Sequence, residues 1–169
     1  PTMDGRVKPD VAAIGLGVKA AGADTDGGGN ATTGNGYRLK SGTSMAAPAV
    51  TGIVALMLQQ YAQTFGVNLD VAPPLPSTIK AILIQTATDL AGTDTTINAD
   101  TNAVVTYGAG PDWATGYGLV DAQAAVQIIE DRRFIEDQLS MTDVTDEFIV
   151  SVIPGQTVVT VTLAWDDIA

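Results

Sequence analysis

The sequence predicts an α/β fold that passes into a β-rich end, and three observations carry the expectation. Asp10 to Gly15, Val18 to Ala21 and Tyr37 to Lys40 are short segments that read as strands, the first of them buried. Three helical patterns follow, from Ser44 to about Tyr61, from Ser77 to about Thr86, and from Asp121 to about Ile129. After Arg133 the hydrophobic period changes to two, with Val159, Val161, Leu163 and Trp165 alternating with Thr160, Thr162 and Ala164. The change divides the chain into residues 1–133 and residues 134–169.

Gly22 to Gly36 is a loop by composition, with Gly27, Gly28 and Gly29 at its centre. Its start, Asp24-Thr25-Asp26, has the look of a calcium loop. An EF-hand, however, needs an oxygen-bearing side chain where Gly28 stands and a glutamate where Asn35 stands, so that match fails. Structural calcium is left open as an expectation. Tyr37 to Lys40 feeds a turn at Gly42, where glycine permits backbone angles closed to other residues. Thr43 is a suitable helix N-cap, which puts Ser44 at the first helical position. The first N–H groups of a helix have no intrahelical partner and lie at the positive end of its dipole. Ser44 could therefore supply both a hydroxyl nucleophile and an N–H donor for the oxyanion that its attack creates. Pro48 removes the bond that would close onto the Ser44 carbonyl, a cost that a purely structural helix would avoid. On spacing alone Thr43 and Ser44 read first as a plain capping pair; the wider context decides against it.

The helix that begins at Ser44 is apolar nearly all round, with Ile53 to Leu58 in unbroken succession. Such a helix is either central in a domain or spans a membrane, and Met45 to Leu58 falls short of the roughly 20 residues a span needs. Gly52 and the alanines at 46, 47, 49 and 55 suit close packing against a sheet. Val71 to Pro76 is a proline-rich connection, after which Ser77 is expected to cap a helix whose stripe is Ile79, Ile82, Leu83 and Thr86. Residues 88–114 read as a long polar loop carrying Asp89, Asp94, Asp100 and Asp112. Asp121 caps the third helix, with Ala125, Ile128 and Ile129 facing inward. Phe148, Val150 and Val152 form a candidate strand joined through a Pro154-Gly155 turn to the alternating segment that ends at Trp165.

The 169 residues include no histidine and no cysteine. A serine hydroxyl needs a base to take its proton, so a nucleophilic Ser44 implies a base outside this chain and makes the chain a piece of a larger hydrolase. The absence of cysteine excludes a disulfide framework and thiolate metal sites without fixing the compartment. The net charge of −11 is unevenly distributed. Residues 1–88 carry five acids and six bases, residues 89–169 fourteen acids and two bases. Such a surface disfavours nucleic acid and anionic membranes as partners and reads first as a solubilising face.

Ser41 to Val50, SGTSMAAPAV, resembles the nucleophile motif of the subtilisin-like serine proteases. Lys8 to Ala13 is similar to the KPDVAAPG segment of that family, with Ile14 where the family often has proline. Thr115 to Ala122 resembles the family's GYGLVDA segment, which opens a late helix of the catalytic domain. The resemblance implies the C-terminal portion of a three-layer, parallel-sheet catalytic domain over residues 1–133. It implies a secreted endopeptidase in which Ser44 is the nucleophile and an oxyanion donor, with Gly42, Thr43, Met45 and Pro48 supporting the turn. The family's aspartate, histidine and oxyanion asparagine precede the serine in chain order, so they would lie before Pro1. The LAWDD ending at Leu163 to Asp167 resembles the opening of a jelly-roll-like β-sandwich that follows some such catalytic domains, and the chain reads as truncated at both ends. The implied partners are a polypeptide substrate and the missing upstream half of the domain. No cofactor is needed for the chemistry, and a homo-oligomer through an exposed apolar face is a further expectation. Two alternatives stand beside this reading: a non-catalytic module on the same fold, and a sedolisin-type peptidase that uses glutamate in place of histidine.

Overall fold

A computed structural model describes residues 5–21, 37–91, 95–97, 104–137, 145–152 and 154–166. The glycine-rich loop with Asp24 and Asp26, together with Asp94 and Asp100, lies outside the described residues. In chain order the elements are β1 (Val18–Ala21), β2 (Tyr37–Lys40), α1 (Thr43–Phe65), α2 (Pro76–Thr86), β3 (Thr95–Ile97), β4 (Val104–Thr106) and α3 (Ala122–Glu130). β1 and β2 pair antiparallel with Val18 opposite Lys40, and β3 and β4 pair antiparallel with Thr95 opposite Thr106. The second hairpin falls inside the segment expected to be loop.

The core is helical. α1 and α2 both pack on α3, enclosing Met57, Ile82, Leu83, Ala125, Ile128 and Ile129. The expected stripes of α2 and α3 are the buried ones. α1 continues past Tyr61 to Phe65 and stops at Gly66, whose φ of 66° lets its N–H turn back to the Ala62 carbonyl. The Arg132 guanidinium completes that end, donating to the Thr64 carbonyl at 2.8 Å and lying 5.0 Å from the centre of the Phe65 ring. Tyr61, Phe65 and Phe134 form an aromatic cluster beside it.

Two sequence expectations for α1 need correction. The helix is not centrally buried: Met57 is its one buried residue, and Leu56 is 51% exposed. An all-round apolar surface needs cover on every side, and here α3 covers one stripe. The helix is also 23 residues long, enough by length and composition to cross a membrane, so length does not exclude a span. Its packing on α3 through Met57 is that of a helix in a folded α/β unit.

Residues 10–12, 117–120 and 88 are locked together by backbone hydrogen bonds. Tyr117 N–H donates to the Asp10 carbonyl at 2.9 Å, Ala12 N–H to the Gly118 carbonyl at 2.8 Å, and Val120 N–H to the Ala12 carbonyl at 3.0 Å. Thr88 and Leu119 exchange a pair of bonds at 2.8 Å each. The middle segment is thus paired parallel on one side and antiparallel on the other. Two glycines permit it: a Cβ on Gly116 would lie 2.2 Å from the Pro9 carbonyl oxygen, and one on Gly118 would lie 2.1 Å from that of Thr88. This bridge between Ala12 and Leu119 is the one parallel pairing among the described residues. Asp10 to Gly15 forms no longer strand there, because a parallel strand needs a neighbour along its length and none of the described residues provides it.

α2 starts differently from expectation. Leu75 is its N-cap and Pro76 its first helical residue, while Ser77 is buried one position later and caps nothing. Proline's fixed φ suits the first helical position, which moves the start upstream of Ser77. The orphan N–H groups are met from far along the chain: Ser77 N–H donates to Asp166 Oδ2 at 3.2 Å, and Leu75 N–H to Glu136 Oε1 at 3.0 Å. Gln85 adds two ties to the C-terminal segment, donating to the Thr160 carbonyl at 3.3 Å and accepting the Thr162 hydroxyl at 2.6 Å. α3 begins as expected, with Asp121 Oδ1 accepting the Ala124 N–H at 2.9 Å. The strands expected at 148–152 and 159–165 do not form among the described residues, which show no ladder there; a turn stands at Pro154-Gly155.

Candidate active site

The turn that carries Ser44 is built from backbone geometry. Gly42, not Thr43, is the N-cap of α1, with φ 147° and ψ 168°, and no side chain caps the helix. The Gly42 carbonyl accepts the Met45 N–H at 3.0 Å and the Ala46 N–H at 3.4 Å, so the helix begins one residue earlier than expected. Thr43 takes the first helical position and Ser44 the second. Only the glycine can adopt the non-helical angles that start the turn without strain, which leaves Thr43 free to be helical.

Ser44 is exposed. At the second helical position its N–H has no acceptor within the helix, and among the described residues neither its N–H nor its hydroxyl has a recorded partner. Hydroxyl and amide are both available to a ligand, and the positive end of the 23-residue α1 dipole lies beneath them. Pro48 stands inside the helix, so the Ser44 carbonyl lacks its usual donor, while Thr51 Oγ1 donates to the Ala47 carbonyl at 3.1 Å one turn on. Met45 is half-buried directly after Ser44.

The segment before β1 holds the turn from outside. Gly42 N–H donates to the Gly15 carbonyl at 2.8 Å, and Gly17 N–H donates to Ser41 Oγ at 2.9 Å. Gly15 is pressed into place: a Cβ there would lie 2.8 Å from the Gly42 carbonyl oxygen and 3.2 Å from Ala46 Cβ. Sequence reading did not single out Ser41, Gly15 or Gly17. The available signal was the glycine that closes the Lys8 to Gly15 segment.

An apolar depression of about 590 Å³ runs between residues 9–13 and the first turns of α1, with Thr43, Ala46, Ala47 and Val50 on its wall. Beside it, Asp10 is flanked by two lysines: it accepts from the Lys8 ammonium and lies 3.5 Å from that of Lys80. Burial pushes the Asp10 carboxyl up, but the Lys8 hydrogen bond and the charge of Lys80 outweigh it and hold the group below its ordinary value. Asp10 is thereby an ionised anchor and a poor proton acceptor. Asp112 is held low as well, by the N–H groups of Thr115 and Ala114 that its Oδ1 accepts at 2.7 and 2.8 Å. Asp89 bonds the Gly110 N–H at 2.9 Å and closes the intervening loop. Asp10 is thus tied to lysines while Asp89 and Asp112 serve the backbone, and among the described residues no group of three or more His, Cys, Asp or Glu could hold a metal.

Residues 1–117 match the subtilase family, Peptidase S8. C5a peptidase of Streptococcus pyogenes serotype M18 is 31% identical over 159 residues, which is 89% of this chain and 11% of that protein. Fervidolysin of Fervidobacterium pennivorans is 37% identical over 97 residues, 57% of this chain and 10% of that one. The Clostridium perfringens CspB protease structure overlaps 79% of this chain and 22% of its own at 25% identity, with a TM-score of 0.49, too partial an overlap to build on. The chain thus spans about a tenth of the length of the relatives it matches.

Proposed function

The chain belongs to the subtilase family, and on that premise we propose that it carries the nucleophile of a serine endopeptidase. Ser44 Oγ attacks the carbonyl carbon of a peptide bond as a base removes its proton. The oxygen that becomes negative accepts a hydrogen bond from the Ser44 N–H; the protonated base then gives its proton to the amide nitrogen as the C–N bond breaks, and the amine leaves behind an acyl-serine that water hydrolyses. The observation that carries this reading is the exposed Ser44 at the second position of α1, with amide and hydroxyl both unpartnered among the described residues. Met45 adjoins the attack site, so oxidation to the sulfoxide would crowd it and slow turnover.

No histidine occurs in the 169 residues. We assign the base, its orienting acid and a second oxyanion donor to polypeptide outside this chain, and residues 1–133 and 134–169 to the end of the catalytic domain and the start of a β-rich one. Triad members act as a unit, so the isolated chain is inert. That outside polypeptide would also cover the exposed apolar surface of α1, a reading favoured over a homo-oligomer because, among the described residues, the segment at 10–15 has only the single bridge of Ala12 to Leu119 beside it. The substrate is a polypeptide. The charge of −11 speaks against nucleic acid or anionic membrane. Location outside the cell and a chemistry free of cofactors follow from the family resemblance.

The test is hydrolysis of an unfolded polypeptide by the full-length protein, its Ser44→Ala variant and the isolated chain. The expected result is turnover by the first alone. Full activity in Ser44→Ala would refute the reading, and an inactive full-length protein would favour a non-catalytic module.

A further inference from the structure

The β1–β2 ladder ends at the pair Val18 and Lys40, so the next pair outward is Gly17 and Ser41. A backbone bond is replaced there by a side-chain one, as the Gly17 N–H donates to Ser41 Oγ at 2.9 Å. The following contact is the Gly42 N–H on the Gly15 carbonyl at 2.8 Å, a backbone bond in which no side chain takes part. The Ser41 contact depends on its hydroxyl. Between this clasp and Ser44 stand only Gly42, in a backbone region that glycine enters freely, and Thr43. A glycine hinge transmits orientation poorly unless both sides are held. Helix α1 holds one side; residues 15–17 hold the other.

We propose that Ser41 is a positioning residue for Ser44: its hydroxyl adds a last rung to the hairpin and fixes the rotation of the turn, so that the Ser44 Oγ and N–H converge on one carbonyl. The inference rests on Ser44 being the nucleophile. Ser41 touches no reacting atom, and its effect falls on the alignment of attack. Substrate affinity should be little changed.

The experiment compares Ser41→Ala, Ser41→Thr and Ser44→Ala in the full-length protein, reading kcat and KM on a peptide ester or amide together with thermal unfolding. Ser41→Ala should lower kcat roughly three- to tenfold, the range expected for one exposed hydrogen bond, and leave KM within about twofold. Ser41→Thr keeps the hydroxyl and should restore kcat to within about twofold of the parent. An inactive Ser44→Ala beside a Ser41→Ala of unchanged kcat would overturn this proposal while leaving the proposed function standing. A loss in Ser41→Ala that threonine does not restore, and that follows a lowered melting temperature, would also overturn it. An active Ser44→Ala would instead remove the premise.

Discussion

Residues 8–130 and residues 145–166 are both rich in apolar side chains, yet one region builds a core and the other does not. Met57, Ala125 and Ile129 are fully buried, whereas Ile149 is 97% and Leu163 79% exposed. The difference lies in what each pattern needs from the rest of the molecule. A helical stripe is satisfied by one neighbouring helix, and α3 serves both α1 and α2. An alternating strand needs a neighbour bonded along its length and a layer over its apolar face. The C-terminal segment instead hangs on side-chain bonds to α2, from Asp166, Thr160 and Thr162. Burial therefore follows the partner, and the pattern alone does not create it.

The same substitution in the two regions should separate them most. Gly118→Ala would drive a Cβ to 2.1 Å from the Thr88 carbonyl oxygen at a φ of 118°, and should destabilise the protein by at least about 3 kcal/mol in urea unfolding. Gly155→Ala, at a φ of 91° with nothing within 4 Å, carries the backbone penalty alone and should cost about 1 kcal/mol. Equal costs would break the comparison. Truncating side chains gives the next contrast: Ile129→Ala, from a fully buried site, should cost about 2–5 kcal/mol, and Leu163→Ala within about 0.5 kcal/mol of nothing.

The tie between the regions is weaker. Asp166→Ala leaves the Ser77 N–H at the start of α2 without its acceptor and should lower stability by about 1 kcal/mol, with Asp166→Asn losing less because an amide oxygen still accepts. Calorimetry of the two variants would sharpen the claim that a carboxylate from the tail caps α2. The smallest effect is acid sensitivity at Asp112. Its folded pKa lies below the ordinary 3.8, so its contribution is complete above that pH and is lost as pH falls through the lower folded value. Fluorescence of the adjacent Trp113, read in a Trp165→Phe background, should shift over that acid range and should already be shifted at neutral pH in Asp112→Ala.

Much of the helical part was legible because its signals are local. Asp121 caps α3 as its residue type dictates, and Ala125, Ile128 and Ile129 are its buried stripe. The start of α1 was misread by one residue because Thr43 is a good cap by type, while Gly42 holds the angles that begin the turn. Its expected end, about Tyr61, is early: the helix continues to Phe65, and Gly66 is the residue that turns back. Ser77 does not cap α2 because Pro76 takes the first helical position, a local signal; what sequence cannot display is the acceptor of the Ser77 N–H, Asp166, 89 residues on. At the site, Ser44 stands out in a motif, whereas the bond between Gly17 and Ser41 spans 24 residues and appears only in the fold.

The central claim is that Ser44 forms the covalent bond to substrate. Treating the full-length protein with a fluorophosphonate and mapping the adduct by mass spectrometry tests it most directly. One phosphonylated residue, Ser44, is expected, with no adduct in Ser44→Ala or in the isolated chain. An adduct on another serine, accompanied by loss of activity while Ser44 stays unmodified, would contradict it.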